Sequence, residues 1–200
     1  MGRNLLATDD QLIQAAIGVI SRRGLAHLTL AEVAAEAGLT APTLVQRFGS
    51  KRGLLLAVAK RSEAAVTQQF ASVSGSPLET LLDGLVNMAG PIQTPGEVAN
   101  HLSFLQLDLA DPEFRELAQA HSRAFRDAIA VLRRQAMAAG EIPPCAVDQL
   151  ARSVQVAFSG VLVQWAIDGE DSLPNALRRE VNRQLSQPRE ESGRIAASLA

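Results

Sequence analysis

Two short helical patterns lie next to each other in the stretch LTLAEVAAEAGLTAPTLVQRFGSKR, residues 28–52. The first pattern, LAEVAAEA, ends at Gly38, and the second, APTLVQRF, begins after only two more residues. Thr29 and Glu32 have the spacing of a capping box, and Pro42 falls in a first helical turn, where its missing N–H costs little. Helices this short cannot bury a core of their own, so the pair must pack against neighbouring helices.

The neighbouring segments are predicted to supply those helices. Residues 8–23 carry apolar residues at three- and four-residue spacing, with Thr8 as the expected cap. Residues 51–73 form a long helical pattern capped by Ser50, and Thr40 is expected to cap the second short helix. No alternating strand pattern of useful length occurs, so the sequence predicts an all-α protein. Further helices are predicted over 78–90, 98–110, 112–140, 145–168 and 173–185, with 186–200 as a frayed tail or a short extra helix.

The composition is ordinary for a soluble globular protein, with 47% apolar and 20% charged residues. The single cysteine, Cys145, excludes an intrachain disulfide framework and fits a reducing cytoplasm. The N-terminus, MGRNLLATDD, lacks the pattern of a signal peptide. No uncharged apolar run reaches the roughly 18 residues of a transmembrane helix. We therefore expect a cytoplasmic protein without a membrane partner.

Positive charge is concentrated towards the N-terminus. Through Arg61 the chain has eight Lys and Arg residues against four Asp and Glu residues, whereas the remainder has eleven against seventeen. A basic segment joined to an acidic body suggests an anionic partner for the first part of the chain.

The second short helix has one apolar and one polar face. At about 100° per residue, Leu44 and Phe48 share the inward face and Gln46 lies nearly opposite. Such a polar face suits a DNA groove, because Gln can pair with adenine, Arg with guanine, and Thr or Val can contact a thymine methyl group. Helix starts carrying Thr or Lys can bind phosphate. We therefore predict a helix-turn-helix, with the DNA-binding residues Thr29, Thr40, Ala41, Pro42, Thr43, Val45, Gln46, Arg47 and Lys51.

A generic helical corner would share this pattern, but the particular residues of the segment are more specific. From Leu28 to Val58 it resembles the DNA-binding domain of the TetR family of bacterial transcriptional regulators. The matching residues are Ala34, Gly38, Pro42-Thr43-Leu44, Phe48, Ser50-Lys51 and Leu54-Leu55. Two positions depart from the family pattern, with Val45 in place of the usual Tyr and Arg47 in place of Tyr or His. The departure at Val45 removes the phosphate contact of a tyrosine hydroxyl.

The resemblance implies a DNA-binding head over residues 1–50, a linking helix over 51–73, and a ligand-binding and dimerisation body over 74–200. It also implies a homodimer that binds double-stranded operator DNA and a small-molecule effector, more as a repressor than as an activator. The dimer interface is expected in the last two long helices, at Leu150, Val154, Ala157, Val161, Gln164, Leu177, Val181 and Leu185.

The resemblance places the effector pocket among the helices of the body. Apolar walls with few polar groups suit an apolar or aromatic molecule, although most of these residues would be core in any helical bundle. No dense set of Lys or Arg lies on the inward stripes, so a highly phosphorylated effector is not expected. The predicted ligand-binding residues are Leu85, Met88, His101, Phe104, Leu105, His121, Phe125, Gln155, Phe158 and Trp165.

No catalytic constellation is apparent in the sequence. The three histidines lack the tight spacing of a metal site, and Ser159-Gly160 lacks the preceding glycine of a nucleophile elbow. Neither an enzyme nor a bound metal or other cofactor is therefore predicted. The alternative left open is a helical small-molecule-binding or adaptor protein without DNA-binding activity.

Overall fold

The computed structural model describes residues 7–71, 75–143 and 147–186. Within these residues the chain forms nine α-helices, one short 3-10 helix at Leu25–His27 and no β-strand, so the all-α prediction is confirmed. Cys145 and all but the first residue of the predicted tail lie outside the described residues. The helices are α1 Asp9–Arg23, α2 Leu30–Glu36, α3 Ala41–Phe48, α4 Lys51–Ala71, α5 Pro77–Ala89, α6 Pro95–Ala110, α7 Pro112–Ala138, α8 Val147–Asp168 and α9 Leu173–Ser186.

Local sequence sets the helix starts. The Thr29 hydroxyl accepts a hydrogen bond from the Glu32 N–H at 3.1 Å, and Glu32 Oε2 accepts one from the Thr29 N–H at 3.1 Å. This capping box, and a second one at Thr8, confirm the predicted starts of α2 and α1. Thr40 occupies the N-cap position of α3 without making the capping bond. Its hydroxyl lies instead 3.2 Å from the Thr43 hydroxyl.

The first four helices pack around one set of apolar residues, which we call the head cluster. Val33 of α2 and Leu44 of α3 have none of their surface exposed. α1 and α4 supply most of the rest, as predicted for the helices on either side of the short pair. One member, Phe114, comes from α7 and is also fully buried. The buried members are Leu12, Ile13, Ala16, Val19, Ile20, Leu28, Val33, Ala34, Leu44, Leu54, Leu55, Val58, Ala59 and Phe114.

A second set, the body cluster, is formed by the end of α4 and by α5 to α9. Phe125 of α7 connects three helices within it, because its ring centroid lies 5.9 Å from that of Phe70 and 5.4 Å from that of Phe158. The buried members are Val66, Phe70, Leu81, Leu82, Leu85, Ala89, Ile92, Val98, Phe125, Ile129, Ala130, Leu132, Ala151, Val154, Phe158, Leu162, Leu173, Leu177 and Val181.

Ion pairs connect the start of α4 to the start of α7. The Arg52 guanidinium lies 2.9 Å from Asp111 Oδ2 and 2.8 Å from Glu113 Oε2. Its central carbon is 5.5 Å from the ring centroid of Phe114, a cation–π arrangement. Hydrogen bonds from Arg52 hold the pKa of Asp111 below its usual range. Arg52 therefore links the head to the body beside the phenylalanine that the two share.

A second connection joins α6 to the segment between α1 and α2. The Asn100 side chain donates to the Ser21 carbonyl at 2.8 Å, and the Leu25 N–H donates to the Ser103 hydroxyl at 3.4 Å. Gly24 lies between these contacts with φ at 79°, and a Cβ added there would be 2.7 Å from Asn100 Oδ1. The close approach of α6 therefore requires a glycine at this position.

The predicted division of the chain into head, linking helix and body stays a prediction. Part of the boundary segment SGSP lies outside the described residues. α4 contributes to both clusters, and Phe114 belongs to the head cluster although it lies far along the chain.

Candidate nucleic-acid interface

A tight turn joins α2 to α3. α2 ends at Glu36, and Gly38 has φ at 67°, in the left-handed region that side chains other than glycine rarely adopt. The Leu39 N–H donates to the Ala34 carbonyl at 2.7 Å and closes the turn. The chain then enters α3 at Ala41, so that α2 and α3 form a helix-turn-helix.

One face of α3 packs into the head cluster and the other faces solvent. Leu44 is fully buried, whereas Pro42 and Gln46 are exposed and Val45 keeps 48% of its surface exposed. Ala41 is half-buried. Three of the predicted DNA-binding side chains therefore lie together on the open face of α3.

Four other predicted DNA ligands make bonds within the head. The hydroxyls of Thr40 and Thr43 bond to each other, and the Thr29 hydroxyl takes part in its capping box. Lys51 Nζ donates to the Leu25 carbonyl at 3.0 Å. An ammonium group carries three donors, so this bond leaves Lys51 able to reach a phosphate as well.

Arg47 is turned away from the open face of α3. Its guanidinium donates to the Ala7 carbonyl and to Asp9 Oδ1, the latter at 3.1 Å, and 24% of its side chain is exposed. To make the predicted guanine contact, the Arg47 guanidinium would have to break these bonds or to donate to DNA while keeping them. That contact stays a prediction.

Every acidic residue of the head is paired with an arginine. The pairs join Arg22 to Glu36, Arg23 to Glu32, Arg47 to Asp9 and Arg61 to Asp10. The surplus positive charge of the described head therefore lies on Lys51 and Lys60 of α4, since Arg52 is paired with Asp111 and Glu113 at the start of α7. No unpaired carboxylate among the described head residues opposes the approach of a phosphate backbone.

Comparison with family profiles identifies both parts of the chain. Residues 12–58 match the profile of bacterial regulatory proteins of the TetR family. Residues 77–187, more than half of the chain, match the profile of the C-terminal part of BetI-type transcriptional repressors. The chain belongs to the TetR family. It is a DNA-binding transcription regulator, as the resemblance of residues 28–58 predicted.

Solved structures of TetR-family regulators share this fold. A TetR-family transcriptional regulator from a Rhodococcus species is 23% identical with a TM-score of 0.66, covering 88% of this chain and 95% of that one. A regulator from Saccharomonospora viridis in complex with choline is 21% identical with a TM-score of 0.68, covering 88% and 93%. FadR from Bacillus subtilis in complex with stearoyl-CoA is 15% identical with a TM-score of 0.65, covering 91% and 100%. A comparison with curated proteins finds no match.

The residues predicted for the effector pocket of this TetR-family chain lie in several environments. Leu85, Phe125 and Phe158 are buried in the body cluster, and Met88 packs against it. His121 stacks on Phe125, with ring centroids 6.5 Å apart and planes at 25°. These five residues form one continuous apolar and aromatic region between the helices of the body.

Two other predicted pocket residues, Phe104 and Leu105, lie apart from that region, whereas Trp165 packs against the body cluster beside a cavity. Phe104 packs edge-on to Phe114 at 6.1 Å and contacts the head cluster, and Leu105 on the same helix is 47% exposed. Trp165 donates its indole N–H to the Asp171 carbonyl at 2.7 Å. It lines a cavity of about 190 Å³ with Val161, Gln164, Asp168, Glu170, Asp171, Ala176, Arg179 and Glu180. Pockets for drug-sized ligands measure roughly 300–1,000 Å³, so this cavity is smaller than such a pocket.

The polar members of the predicted pocket lie beside the aromatic region. His121 Nδ1 is 3.2 Å from the Ser62 carbonyl, and Gln155 Nε2 donates to the Ser122 hydroxyl at 3.1 Å. His101 is exposed as a whole residue, yet the protein atoms around its imidazole exclude enough water to lower its pKa. The same exclusion of water lowers the pKa of His121. Both imidazoles are therefore neutral at neutral pH.

Three residues predicted for the subunit interface are core residues instead. Val154, Leu177 and Val181 are buried within the protomer, with 0%, 1% and 1% of their surface exposed. Their assignment to a subunit surface is wrong, because no part of them is left for a partner to contact. Of the others, Leu150, Ala157 and Val161 are half-buried, Gln164 is exposed, and the Leu185 side chain lies outside the described part of the structure.

The opposite face of α8 carries an apolar stripe that sequence reasoning missed. Val156, Val163 and Ile167 are 64%, 39% and 72% exposed, and Gly160 lies between them at helical spacing. The sequence does contain a sign of this stripe, since Ser153–Ile167 has no charged residue and both faces of the helix are apolar. α8 is long and apolar enough to cross a membrane by length and composition alone, with a mean hydropathy of 1.3 and 28% of that window buried, which for a single helix is weak evidence of a membrane span. The opposite face of this helix packs into the body cluster, so α8 is apolar both inside the protomer and at its surface.

Proposed function

We propose that this regulator is a homodimeric repressor that leaves its operator when a small apolar or aromatic molecule binds in the body. The observation that carries the proposal is the contact of α6 with the head. Asn100 bonds to Ser21 and Ser103 bonds to Leu25, while the same helix carries His101, which interacts electrostatically with His121 of the aromatic region. A displacement of α6 by an effector would therefore reach α1 and the helix-turn-helix directly. The extent of release is limited by the difference in the effector's affinity for the two conformations.

The apolar character of the effector is supported by the aromatic region around Phe125. Its polar neighbours are the neutral side chains of His121 and Gln155 and one cation, Arg126, which donates to Gln155 Oε1 at 3.1 Å. They can orient a hydroxyl, carbonyl or amide, but a single arginine does not neutralise a polyanion. The relatives bind different molecules, choline in one structure and stearoyl-CoA in another. Both compounds are therefore informative probes, one a small cation and one with a long acyl chain.

The homodimer is supported by the apolar stripe on α8. A Cβ added at Gly160 would meet no atom within 4 Å, so nothing inside the protomer requires a glycine there. A glycine in a helix interior costs about 1 kcal/mol relative to alanine, and at a subunit contact it lets a second helix approach closely. A charge-free stripe can also pair with its own copy without like-charge repulsion. We propose that two α8 helices cross near Gly160.

The test of the proposed function is a binding assay with DNA from upstream of the protein's own gene. The full chain should shift this DNA and not a shuffled duplex of equal length and composition. Acyl and aromatic compounds, stearoyl-CoA and choline should then be titrated while operator release and Trp165 fluorescence are recorded. Release by an apolar or aromatic compound supports the proposal. Release by polyanions alone, stearoyl-CoA among them, would contradict the apolar effector, and activation of the adjacent promoter would contradict repression.

The alternative is a helical ligand-binding or adaptor protein that has lost DNA binding. It would bind an effector but shift neither the upstream DNA nor sequences selected from a random pool. The open face of α3, with Pro42, Val45 and Gln46 at the surface, favours the DNA-binding function. A regulator of this kind acts where the chromosome is, and we propose a cytoplasmic location.

A further inference from the structure

The open face of α3 offers DNA an apolar contact with few hydrogen-bonding groups. Val45 is 48% exposed on a helix of eight residues, and Pro42 lies exposed one turn before it. Pro42 suits the first turn of α3, but the exposed surfaces of Pro42 and Val45 gain no burial in the folded protomer. They become favourable only when the surface that meets α3 is itself partly apolar.

The polar groups of α3 are mostly engaged by the protein. The Thr43 hydroxyl bonds to that of Thr40, and Arg47 is held by Asp9 and by a main-chain carbonyl. Gln46 is the exposed amide of this helix and projects beside Val45. Direct reading of bases by α3 therefore relies on one amide and one valine, with the proline behind them.

The charge of the surroundings identifies DNA as the molecule that meets this face. All four acidic residues of the head are paired with arginines, and Lys51 follows α3 at the start of α4. The surface around Val45 therefore attracts a polyanion while its centre is apolar. In the major groove of DNA, the apolar group on the base edges is the methyl group of thymine.

We propose that each operator half-site is recognised through a thymine whose methyl group packs against Val45 and Pro42. Gln46, the next residue along, then reads an adjacent adenine through its N6 and N7 edge. This inference goes beyond DNA binding as such, because it specifies a base and the chemical group on it. Val45 is accordingly the specificity-determining residue of α3, and Arg47 is a positioning residue that fixes the helix against the N-terminus of α1.

The proposal can be tested by removing the methyl group alone. The operator is first obtained by selection from random duplex DNA with the full chain, and each thymine is then replaced in turn by deoxyuridine. At one thymine in each half-site, the substitution should raise the Kd about fourfold per substituted half-site. This increase corresponds to the loss of one buried methyl group. Substitution at other thymines should leave the Kd close to that of the selected operator.

The variant Val45→Ala separates the role of this side chain from other effects of deoxyuridine. Because Val45 is exposed and alanine favours helices, the variant should fold normally. The difference in affinity between the thymine and deoxyuridine operators should be clearly smaller in this variant, because only Pro42 still contacts the methyl group, whereas Val131→Ala, at an exposed valine of α7, should retain the wild-type difference. Equal binding of both operators by the wild-type chain would overturn the role of Val45 and leave DNA binding intact. Failure of the selection to yield any bound duplex would overturn DNA binding itself, and the role of Val45 with it.

Discussion

Arg47 of α3 and Asp9 of α1 form an ion pair across the head, with Nη1 3.1 Å from Oδ1. The same guanidinium donates to the Ala7 carbonyl. A side chain at the end of the helix that meets DNA is thus used to hold that helix against the start of the chain. The geometry gives Arg47 a role that does not depend on any particular base.

Replacement of either partner should have the same effect on DNA binding. Arg47→Ala and Asp9→Asn should each lower the free energy of unfolding by about 1 kcal/mol, because Asp9, with 69% of its side chain exposed, leaves the pair in contact with water. Both should weaken binding to operator and random duplexes in the same proportion, as measured by fluorescence anisotropy. Loss of discrimination in Arg47→Ala but not in Asp9→Asn would show that Arg47 reads a base after all.

Gln46→Ala should lose discrimination between the operator and random DNA. A bidentate amide–adenine contact is worth about 1–3 kcal/mol of discrimination, and the exposed position of Gln46 means that stability should hardly change. Gln69→Ala, an equally exposed glutamine of α4, is the matched control. If the ratio of the two affinities stays the same in Gln46→Ala, the amide does not read a base.

Val163→Glu should convert the dimer into a monomer. Two charges would then face each other in the paired α8 stripe, where desolvation makes like charges costly. Light scattering should report the monomer mass, and operator affinity should fall because one head reaches only one half-site. Val131→Glu places the same charge on an exposed site of α7 and should remain dimeric. A wild-type chain that is monomeric at micromolar concentration would refute the interface.

Gly24→Ala should destabilise the contact between α6 and the head. The φ of 79° and ψ of 164° at this position are essentially accessible only to glycine, at a cost of about 1–3 kcal/mol for other residues. The added Cβ would also lie 2.7 Å from Asn100 Oδ1. Combining Gly24→Ala with Asn100→Ala should therefore cost less than the sum of the single changes in urea unfolding. Strict additivity would mean that the two residues are not in contact.

The carboxyl group of Asp108 on α6 gives stability a specific pH dependence. Burial raises its pKa from 3.8 to about 6, so the folded state favours the protonated acid. That contribution is fully present below the unfolded pKa and is lost as the pH rises through about 6. Asp108→Asn should therefore raise Tm at about pH 7.5 and leave it nearly unchanged at strongly acidic pH. A gain in Tm that is the same at both values would rule out ionisation as its cause.

Local patterns were sufficient to predict the helix-turn-helix. The capping box of Thr29 and Glu32, the turn at Gly38 and the burial of Leu44 all depend on residues a few positions apart. The engagement of Arg47 could not be predicted in this way, because its partner Asp9 lies 38 positions away in the sequence. Nothing in the pattern APTLVQRF distinguishes an arginine that faces DNA from one that faces α1.

Three residues predicted for the subunit surface are core residues for a different reason. α8 is apolar on both faces, and helical periodicity locates apolar stripes without showing which one packs inside the protomer. Val154 was assigned to the interface and is core, whereas Val156, two positions on, is 64% exposed. Only the packing of α8 against α7 and α9 decides between the two. The effector region was limited by the same ambiguity, since Phe104 and Phe125 look alike in the sequence but belong to different clusters.

Phe114 has a consequence for how such regulators can be recombined. Its ring is fully enclosed by the head cluster but is delivered by α7, with Arg52 resting on it. A fragment that ends after α4 would leave a hole the size of a phenylalanine in the middle of the DNA-reading unit. Chimeras that graft this head onto a foreign sensor would therefore have to carry the first turn of α7 along with it, or find another aromatic ring for the same space.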